Sequence, residues 1–180
     1  MANVAKRGVP LDATRLRGLV FALALSACGG DATDLLAPGA TAPDVVGEAA
    51  NGDAVHLSAQ TGKPAVVYFY PKDDTPGCTK EACAFRDAFD AYVKAGVTIF
   101  GVSGDDAASH RAFRAKHALP FPLVADVDGA VQRAYGVRSR MGMPARVTFI
   151  VGRDGKIARV FPDVDPGVHA GEVLAAIAAL

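Results

Sequence analysis

An α/β fold, with a mixed β-sheet flanked by helices on both faces, is predicted by the order of segments along the chain. Short β-branched and aromatic segments typical of strands alternate with segments whose apolar residues recur at helical spacing. The chain has 180 residues, of which 51% are hydrophobic, and this length suffices for one domain with its own core. Its 19 basic and 19 acidic side chains balance, which argues against a nucleic-acid-binding protein.

The first predicted strands form a hairpin. The strand segments at Val45–Val46 and 55–57 flank Asn51-Gly52, a pair that favours a tight turn. Residues 65–70 (AVVYFY) are continuously apolar and predict a strand buried on both faces. The other predicted elements are helices at 79–95, 107–117, 130–135 and 170–180, and strands at 97–102, 123–125, 146–151 and 156–161.

The amino terminus has the pattern of an export signal. Basic residues precede an uncharged stretch at 18–27, which is shorter than the 18 or more residues of a membrane-spanning helix. The following Leu-Ser-Ala-Cys28 resembles the lipobox of bacterial lipoproteins, in which the cysteine is lipidated and becomes the first residue of the mature chain. The alternative is an ordinary export signal in which Cys28 is incidental.

These features predict three regions: a cleaved signal peptide at 1–27, a tether at 28–43 and a globular domain at 44–180. The tether is rich in Gly, Ala and Pro and has no periodicity. The predicted location is therefore outside the cytoplasm, as a membrane-anchored lipoprotein that faces the periplasm. Gly29 after the cysteine favours the outer membrane by resemblance to lipoprotein sorting rules.

Cys78 is the candidate nucleophile. It follows a buried strand and precedes or opens a predicted helix, which places it at the sheet edge where open α/β folds bind ligands. Unpaired N–H groups and the positive end of the helix dipole favour a thiolate at this position. Thr75 lies three residues earlier and can offer a hydroxyl to the sulfur or to an oxygen bound to it.

Cys83 is the candidate partner, five residues further along the same helix. In an intact helix the two Cα atoms would lie about 8.6 Å apart, beyond the ~7 Å that an unstrained disulfide spans. A pair that reacts while the helix is formed and bridges after local unwinding fits this spacing. A static disulfide remains the alternative, whereas a zinc site lacks further ligands at suitable spacing.

The sequence Pro71-x-x-x-Thr75-x-x-Cys78 resembles the active-site motif of peroxiredoxins. The longer stretch from Tyr68 to Cys83 resembles the peroxiredoxin Q subfamily, also called bacterioferritin comigratory protein. This resemblance covers about residues 40–180 and implies a thioredoxin-like fold with an amino-terminal hairpin.

The resemblance implies that Cys78 is the peroxidatic cysteine and Cys83 the resolving cysteine. Arg146 matches the active-site arginine, and its guanidinium would stabilise the thiolate and hold a peroxide oxygen. Pro71 would shield the sulfenic acid formed on Cys78. The expected substrates are hydrogen peroxide and organic hydroperoxides, and the expected reductant is a thioredoxin-like dithiol protein. No metal or other cofactor is needed, and a monomer is the subfamily expectation.

Two other functions compete with this interpretation. A thioredoxin-type thiol–disulfide oxidoreductase would share the fold, but it would require two rather than four residues between its cysteines. A non-enzymatic binding lipoprotein would keep the cysteine pair permanently oxidised. The other arginines near the motif have simpler interpretations: Arg138 and Arg140 as surface charges, and Arg86 as a partner of Asp90. The four histidines, His56, His110, His117 and His169, are expected at the surface or at helix caps.

Overall fold

The computed structural model describes residues 1–2 and 35–180. Its strands and helices, in chain order, are β1 (Val46–Glu48), β2 (Ala54–His56), β3 (Ala65–Phe69), α1 (Pro76–Asp87), α2 (Phe89–Lys94), β4 (Thr98–Ser103), α3 (Ala107–His117), β5 (Leu123–Ala125), α4 (Ala130–Ala134), β6 (Ser139–Arg140), β7 (Met143–Pro144), β8 (Val147–Val151), β9 (Ile157–Phe161) and α5 (His169–Ala178). A short 3-10 turn at Ser58–Gln60 follows β2. Among the described residues, no helix is long and apolar enough to cross a membrane.

A seven-stranded mixed sheet forms the centre of the fold, in the order β2-β1-β5-β4-β3-β8-β9. The three inner strands β5, β4 and β3 are parallel, and the strands next to them, β1 and β8, run antiparallel to them. Every residue of β3 is buried, as its continuous apolar sequence predicts. The mixed α/β prediction, including the hairpin of β1 and β2, is therefore confirmed.

Helices cover both faces of the sheet. One face carries a core cluster to which α1, α2, α3 and α5 contribute, with side chains such as Phe85, Phe113 and Val173. The other face carries a second cluster, in which Tyr135 after α4 packs on the Phe69 and Phe149 rings. The sheet thus separates two apolar layers, and the carboxyl end of β3 leads through a short loop to the start of α1.

The helix that follows β3 differs from the predicted 79–95. It begins three residues earlier, because Pro76 has no N–H to satisfy and its fixed φ suits the first helical position. It also breaks at Ala88, whose backbone (φ −91°, ψ 1°) departs from helical values, and resumes as α2. Cys78 is therefore the third residue of α1, inside the first turn.

The amino-terminal part of the described chain differs from the expected tether at 28–43. Leu35 and Leu36 pack against the second core cluster, and the Leu36 N–H donates to the Tyr135 carbonyl at 3.2 Å. Thr41 forms an isolated antiparallel bridge with Lys156. Residues 35–43 thus belong to the folded unit. Apart from residues 1–2, the predicted signal peptide lies outside the described residues, as do Cys28 and residues 29–34.

A two-stranded hairpin of β6 and β7 was not predicted from the sequence. The two residues at its tip, Met141 and Gly142, have positive φ angles of 54° and 77°, as a tight two-residue hairpin turn requires. The bond between Met143 and Pro144 is trans. Ala145 connects this hairpin to Arg146, which lies directly before β8.

Candidate active site

The start of α1 holds Cys78 against the end of the sheet. Thr75 is the N-cap residue and is extended (φ −79°, ψ 148°), and the Thr79 N–H donates to its carbonyl at 2.8 Å. Cys78 follows three residues later and is 1% exposed, in contact with the first core cluster. The first-turn N–H groups and the helix dipole place positive potential beside this sulfur.

Arg146 supplies a formal charge to the same sulfur. Its Nη2 donates to Cys78 Sγ at 3.3 Å. The register of the sheet explains this contact: β8 pairs antiparallel with β3 so that Val147 lies opposite Phe69, and Arg146 is therefore level with the start of the Cys78 loop. Gly77 allows the approach, because a Cβ at that position would lie 3.3 Å from Nη2. The sequence-based placement of Arg146 beside Cys78 agrees with this geometry.

Glu81 is a site residue that the sequence analysis missed. Its Oε2 accepts a hydrogen bond from Arg146 Nη1, and the side chain is 1% exposed. Burial raises the pKa of Glu81 to about 7, although the charge and hydrogen bond of Arg146 act in the opposite direction. The sequence held one indication of this contact: a residue three positions after Cys78 lies on the same face of a helix.

The guanidinium of Arg146 thus bridges an acid and a thiol. Burial alone would lower the pKa of Arg146, but the Glu81 carboxylate and Cys78 raise it above its usual value, so the side chain stays charged. One terminal nitrogen of the guanidinium donates to Glu81 and the other to Cys78. A lysine ammonium cannot replace this arrangement, because it lacks the planar, forked set of donors. Glu81 therefore fixes the direction in which Arg146 presents its charge.

Thr75 and Pro71 lie in the loop before Cys78, and both are half-buried. The Thr75 hydroxyl donates to the Lys72 carbonyl at 3.0 Å and closes a turn. Its hydrogen is thus engaged by Lys72, whereas the sequence analysis expected the hydroxyl to be offered to the sulfur or to an oxygen bound to it. The hydroxyl oxygen keeps lone pairs that can accept a hydrogen bond. The catalytic roles of Thr75 and Pro71 stay predictions.

Cys83 lies two turns from the start of α1, half-buried, and both it and Cys78 are free thiols. The helix is continuous between them, so the separation of about 8.6 Å expected from ideal helical geometry applies. A disulfide between these two residues requires the first part of α1 to unwind.

Several other expectations are corrected by the structure. Arg86 does not pair with Asp90; it binds Asp87 and donates to the His117 carbonyl at 2.8 Å. His110 and His169 are buried, at 3% and 0% exposure, rather than at the surface or at caps. Arg138 and Arg140 are exposed, as expected.

The sequence profile of the AhpC/TSA family matches residues 38–160, which include Cys78, Glu81 and Arg146. The chain belongs to the AhpC/TSA family. Its relatives place it in the peroxiredoxin Q group of that family. A chloroplastic peroxiredoxin Q from Triticum aestivum is 44% identical over 139 residues, which cover 76% of this chain and 64% of the relative.

A second chloroplastic peroxiredoxin Q, from Arabidopsis thaliana, is 38% identical over 168 residues, which cover 92% of this chain and 72% of the relative. The chain spans about 64% of the length of the rice and wheat relatives. Among solved structures, the bacterioferritin comigratory protein of Xanthomonas campestris matches with a TM-score of 0.70 and 37% identity, over 81% of this chain and 96% of that one. These matches confirm the thioredoxin-like fold expected of a peroxiredoxin.

The predicted location is corrected by the same comparison. The peroxiredoxin Q relatives from rice, wheat and Arabidopsis thaliana are chloroplastic proteins. They point to a plastid rather than to a lipoprotein that faces the periplasm, so the prediction of a periplasmic lipoprotein is wrong. An uncharged stretch behind basic residues is a short, generic pattern, and Leu-Ser-Ala-Cys28 is only four residues long.

Proposed function

We propose that this protein is a thiol-dependent peroxidase that reduces hydrogen peroxide and organic hydroperoxides through Cys78. The observation that carries the proposal is the hydrogen bond of 3.3 Å from Arg146 Nη2 to Cys78 Sγ at the start of α1. A guanidinium and a helix amino terminus both favour the thiolate, which is the nucleophilic form of cysteine. The same donors face the point at which a peroxide oxygen would approach the sulfur.

The first step is attack by the Cys78 thiolate on the terminal oxygen of a hydroperoxide. A sulfur–oxygen bond forms, the oxygen–oxygen bond breaks, and the leaving alkoxide or hydroxide takes a proton to give an alcohol or water. Cys78 is oxidised to a sulfenic acid. Arg146 and the first-turn N–H groups stabilise the negative charge as it passes to the leaving oxygen, and the Thr75 oxygen can accept a hydrogen bond from the peroxide. Pro71 limits the access of water to the sulfenic acid.

The second step is condensation of the Cys83 thiol with the sulfenic acid. A disulfide forms and one water molecule leaves. Since both thiols lie on one continuous helix, this step follows local unwinding of the start of α1. An external thioredoxin-like dithiol protein then reduces the disulfide by thiol exchange and restores both thiols.

Similarity supports the choice of substrates and role. The Xanthomonas campestris relative is described by its alkyl peroxide reduction activity, and its chain matches this one over 96% of its length. An antioxidant role follows from the removal of peroxides. We further propose that the protein acts as a monomer, because the site is built from α1 and the segment before β8 of one chain.

Substitution of each cysteine tests the proposal. Cys78→Ser should abolish peroxide consumption with dithiothreitol or a dithiol protein as reductant. Cys83→Ser should complete one turnover with the dithiol protein and accumulate a sulfenic acid on Cys78 that a dimedone-type probe traps. Sustained cycling of Cys83→Ser with the dithiol protein would refute the resolving role. Insulin reduction without peroxide consumption by the wild-type protein would instead identify a thioredoxin-type oxidoreductase.

A further inference from the structure

A cluster of buried polar side chains lies behind the loop that precedes Cys78. Asp73, 7% exposed, accepts hydrogen bonds from the Tyr70 hydroxyl at 2.8 Å and the Ser109 hydroxyl at 2.7 Å. His110 Nδ1 lies 2.9 Å from the second carboxylate oxygen of Asp73. The histidine is on α3, whereas Asp73 is in the loop between β3 and α1. The cluster therefore joins the loop to a neighbouring helix.

The hydrogen-bond partners of His110 fix the orientation of its ring. Its Nδ1 faces the Asp73 carboxylate, and its Nε2 faces the Val124 backbone carbonyl at 3.1 Å. These two contacts hold the ring in one orientation between the loop and β5. Burial alone would raise the pKa of Asp73, but the hydrogen bonds and charge of His110, with the Ser109 and Tyr70 hydroxyls, lower it. The two side chains thus form a buried contact of 2.9 Å at the base of the loop.

Asp73 is also the centre of a tight turn. Its backbone N–H donates to Asp105 Oδ2 at 2.8 Å, and the Thr75 hydroxyl closes the turn on the Lys72 carbonyl. Asp74 has a positive φ of 56°, a conformation that a non-glycine residue keeps only when its surroundings hold it. The next residue is Thr75, the N-cap of α1, and Cys78 follows in the first turn.

We propose that His110 is a positioning residue for the reaction of Cys78. Its buried ring fixes Asp73, and Asp73 fixes the turn from Lys72 to Thr75. This turn sets where the Thr75 oxygen and the start of α1 lie relative to the Cys78 sulfur. His110 does not touch the reacting atoms. The inference rests on the proposed peroxidase function, because the reaction that it positions is the attack of Cys78 on peroxide.

A merely structural role for His110 would lower stability without a specific effect on Cys78. Arg114 provides the matched control, because it lies one turn further along α3, is 6% exposed and forms a salt bridge of 3.0 Å with Glu48 on β1. Arg114→Gln breaks an ion pair between the same helix and the β1–β2 hairpin, not at the loop before Cys78. His110→Gln removes the ring that holds Asp73 at the base of the loop.

The test compares both variants with the reduced wild-type protein. Melting temperatures measure stability, and stopped-flow mixing with hydrogen peroxide gives the rate constant for loss of the Cys78 thiol. Misplacement of reacting groups by about 1 Å can cost about 100-fold in rate, so His110→Gln should lose about 10- to 100-fold. Arg114→Gln should keep the wild-type rate even when its melting temperature falls as far as that of His110→Gln. Equal rates in His110→Gln and the wild type would overturn the inference.

Alkylation by iodoacetamide, followed on the Cys78 peptide by mass spectrometry, provides a readout that does not involve peroxide. A loosened turn exposes the buried Cys78 thiol, so His110→Gln should be alkylated faster than Arg114→Gln while its peroxide reaction slows. If the wild-type protein does not react with peroxide, the proposed function fails, and unchanged alkylation of His110→Gln overturns the positioning role separately. If His110→Gln does not fold, Tyr70→Phe removes one bond to Asp73, and the same two changes are required of it.

Discussion

Substitution of Glu81 by glutamine tests the electrostatics of the site most sharply. Glu81 is 1% exposed and contacts Arg146, and burial raises its pKa to about 7 from an ordinary value of 4.5. Between these two values the unfolded chain ionises this carboxyl while the folded protein keeps it protonated. The folded state then binds more protons, so the free energy of unfolding falls as the pH rises.

The size of this effect follows from the pKa difference. Each pKa unit corresponds to about 1.36 kcal/mol, so 2.5 units correspond to about 3 kcal/mol. The stabilisation is fully present below pH 4.5 and is lost by the time the pH has passed 7. Glu81→Gln keeps the shape of the protonated acid and cannot ionise. It should match the wild type at pH 4.5 and be more stable than the wild type by up to about 3 kcal/mol at pH 8.

Urea unfolding of the reduced proteins at pH values from 4.5 to 8.5 measures the difference between the two free energies of unfolding. The other titrating groups are common to both proteins, so their contributions largely cancel in this difference. Asp90→Asn removes an exposed carboxylate on α2 and is the control, for which the difference from the wild type should stay flat. A difference between wild type and Glu81→Gln that does not change with pH would refute the reasoning.

Two further predictions concern the active-site arginine and the packing of the sheet. Arg146→Lys keeps the charge but loses the forked guanidinium that contacts both Glu81 and Cys78, so the rate of Cys78 oxidation should fall by about 10²- to 10³-fold. Stopped-flow measurement checks this rate, with the exposed Arg138→Lys as the control. An unchanged rate in Arg146→Lys would contradict the prediction. Gly101→Ala places a Cβ 2.7 Å from the Tyr68 hydroxyl, so it should destabilise the fold by about 1–3 kcal/mol in urea unfolding. Gly171→Ala, whose Cβ meets nothing within 4 Å, is the matched control and should not destabilise.

The parts of the fold and site that depend on local sequence were predictable. Residues 65–70 are continuously apolar, and β3 is buried throughout. The helical spacing of 107–117 coincides with the bounds of α3. Cys78 is placed by local rules, since a buried strand, a proline–glycine loop and a helix start follow one another within a few residues.

The parts that depend on long-range contacts were not predictable in the same way. Glu81 is an ordinary exposed helix position by its residue type, and only the approach of Arg146 from the segment before β8 makes it a buried partner. His110 is one polar residue on an amphipathic helix, and its importance arises from Asp73, which lies 37 residues away in the sequence. Residues 35–43 lack any periodicity, yet Leu35 and Leu36 find apolar partners on the sheet.

The fate of the two thiols in a single turnover tests the central claim most directly. The reduced protein is mixed with one equivalent of hydrogen peroxide, quenched with an alkylating reagent at successive times, and digested for mass spectrometry. We expect an added oxygen on Cys78 first and then a disulfide between the Cys78 and Cys83 peptides, as the first part of α1 unwinds. Two thiols that remain fully alkylated after exposure to peroxide, or oxidation of Cys83 while Cys78 stays reduced, would contradict the account.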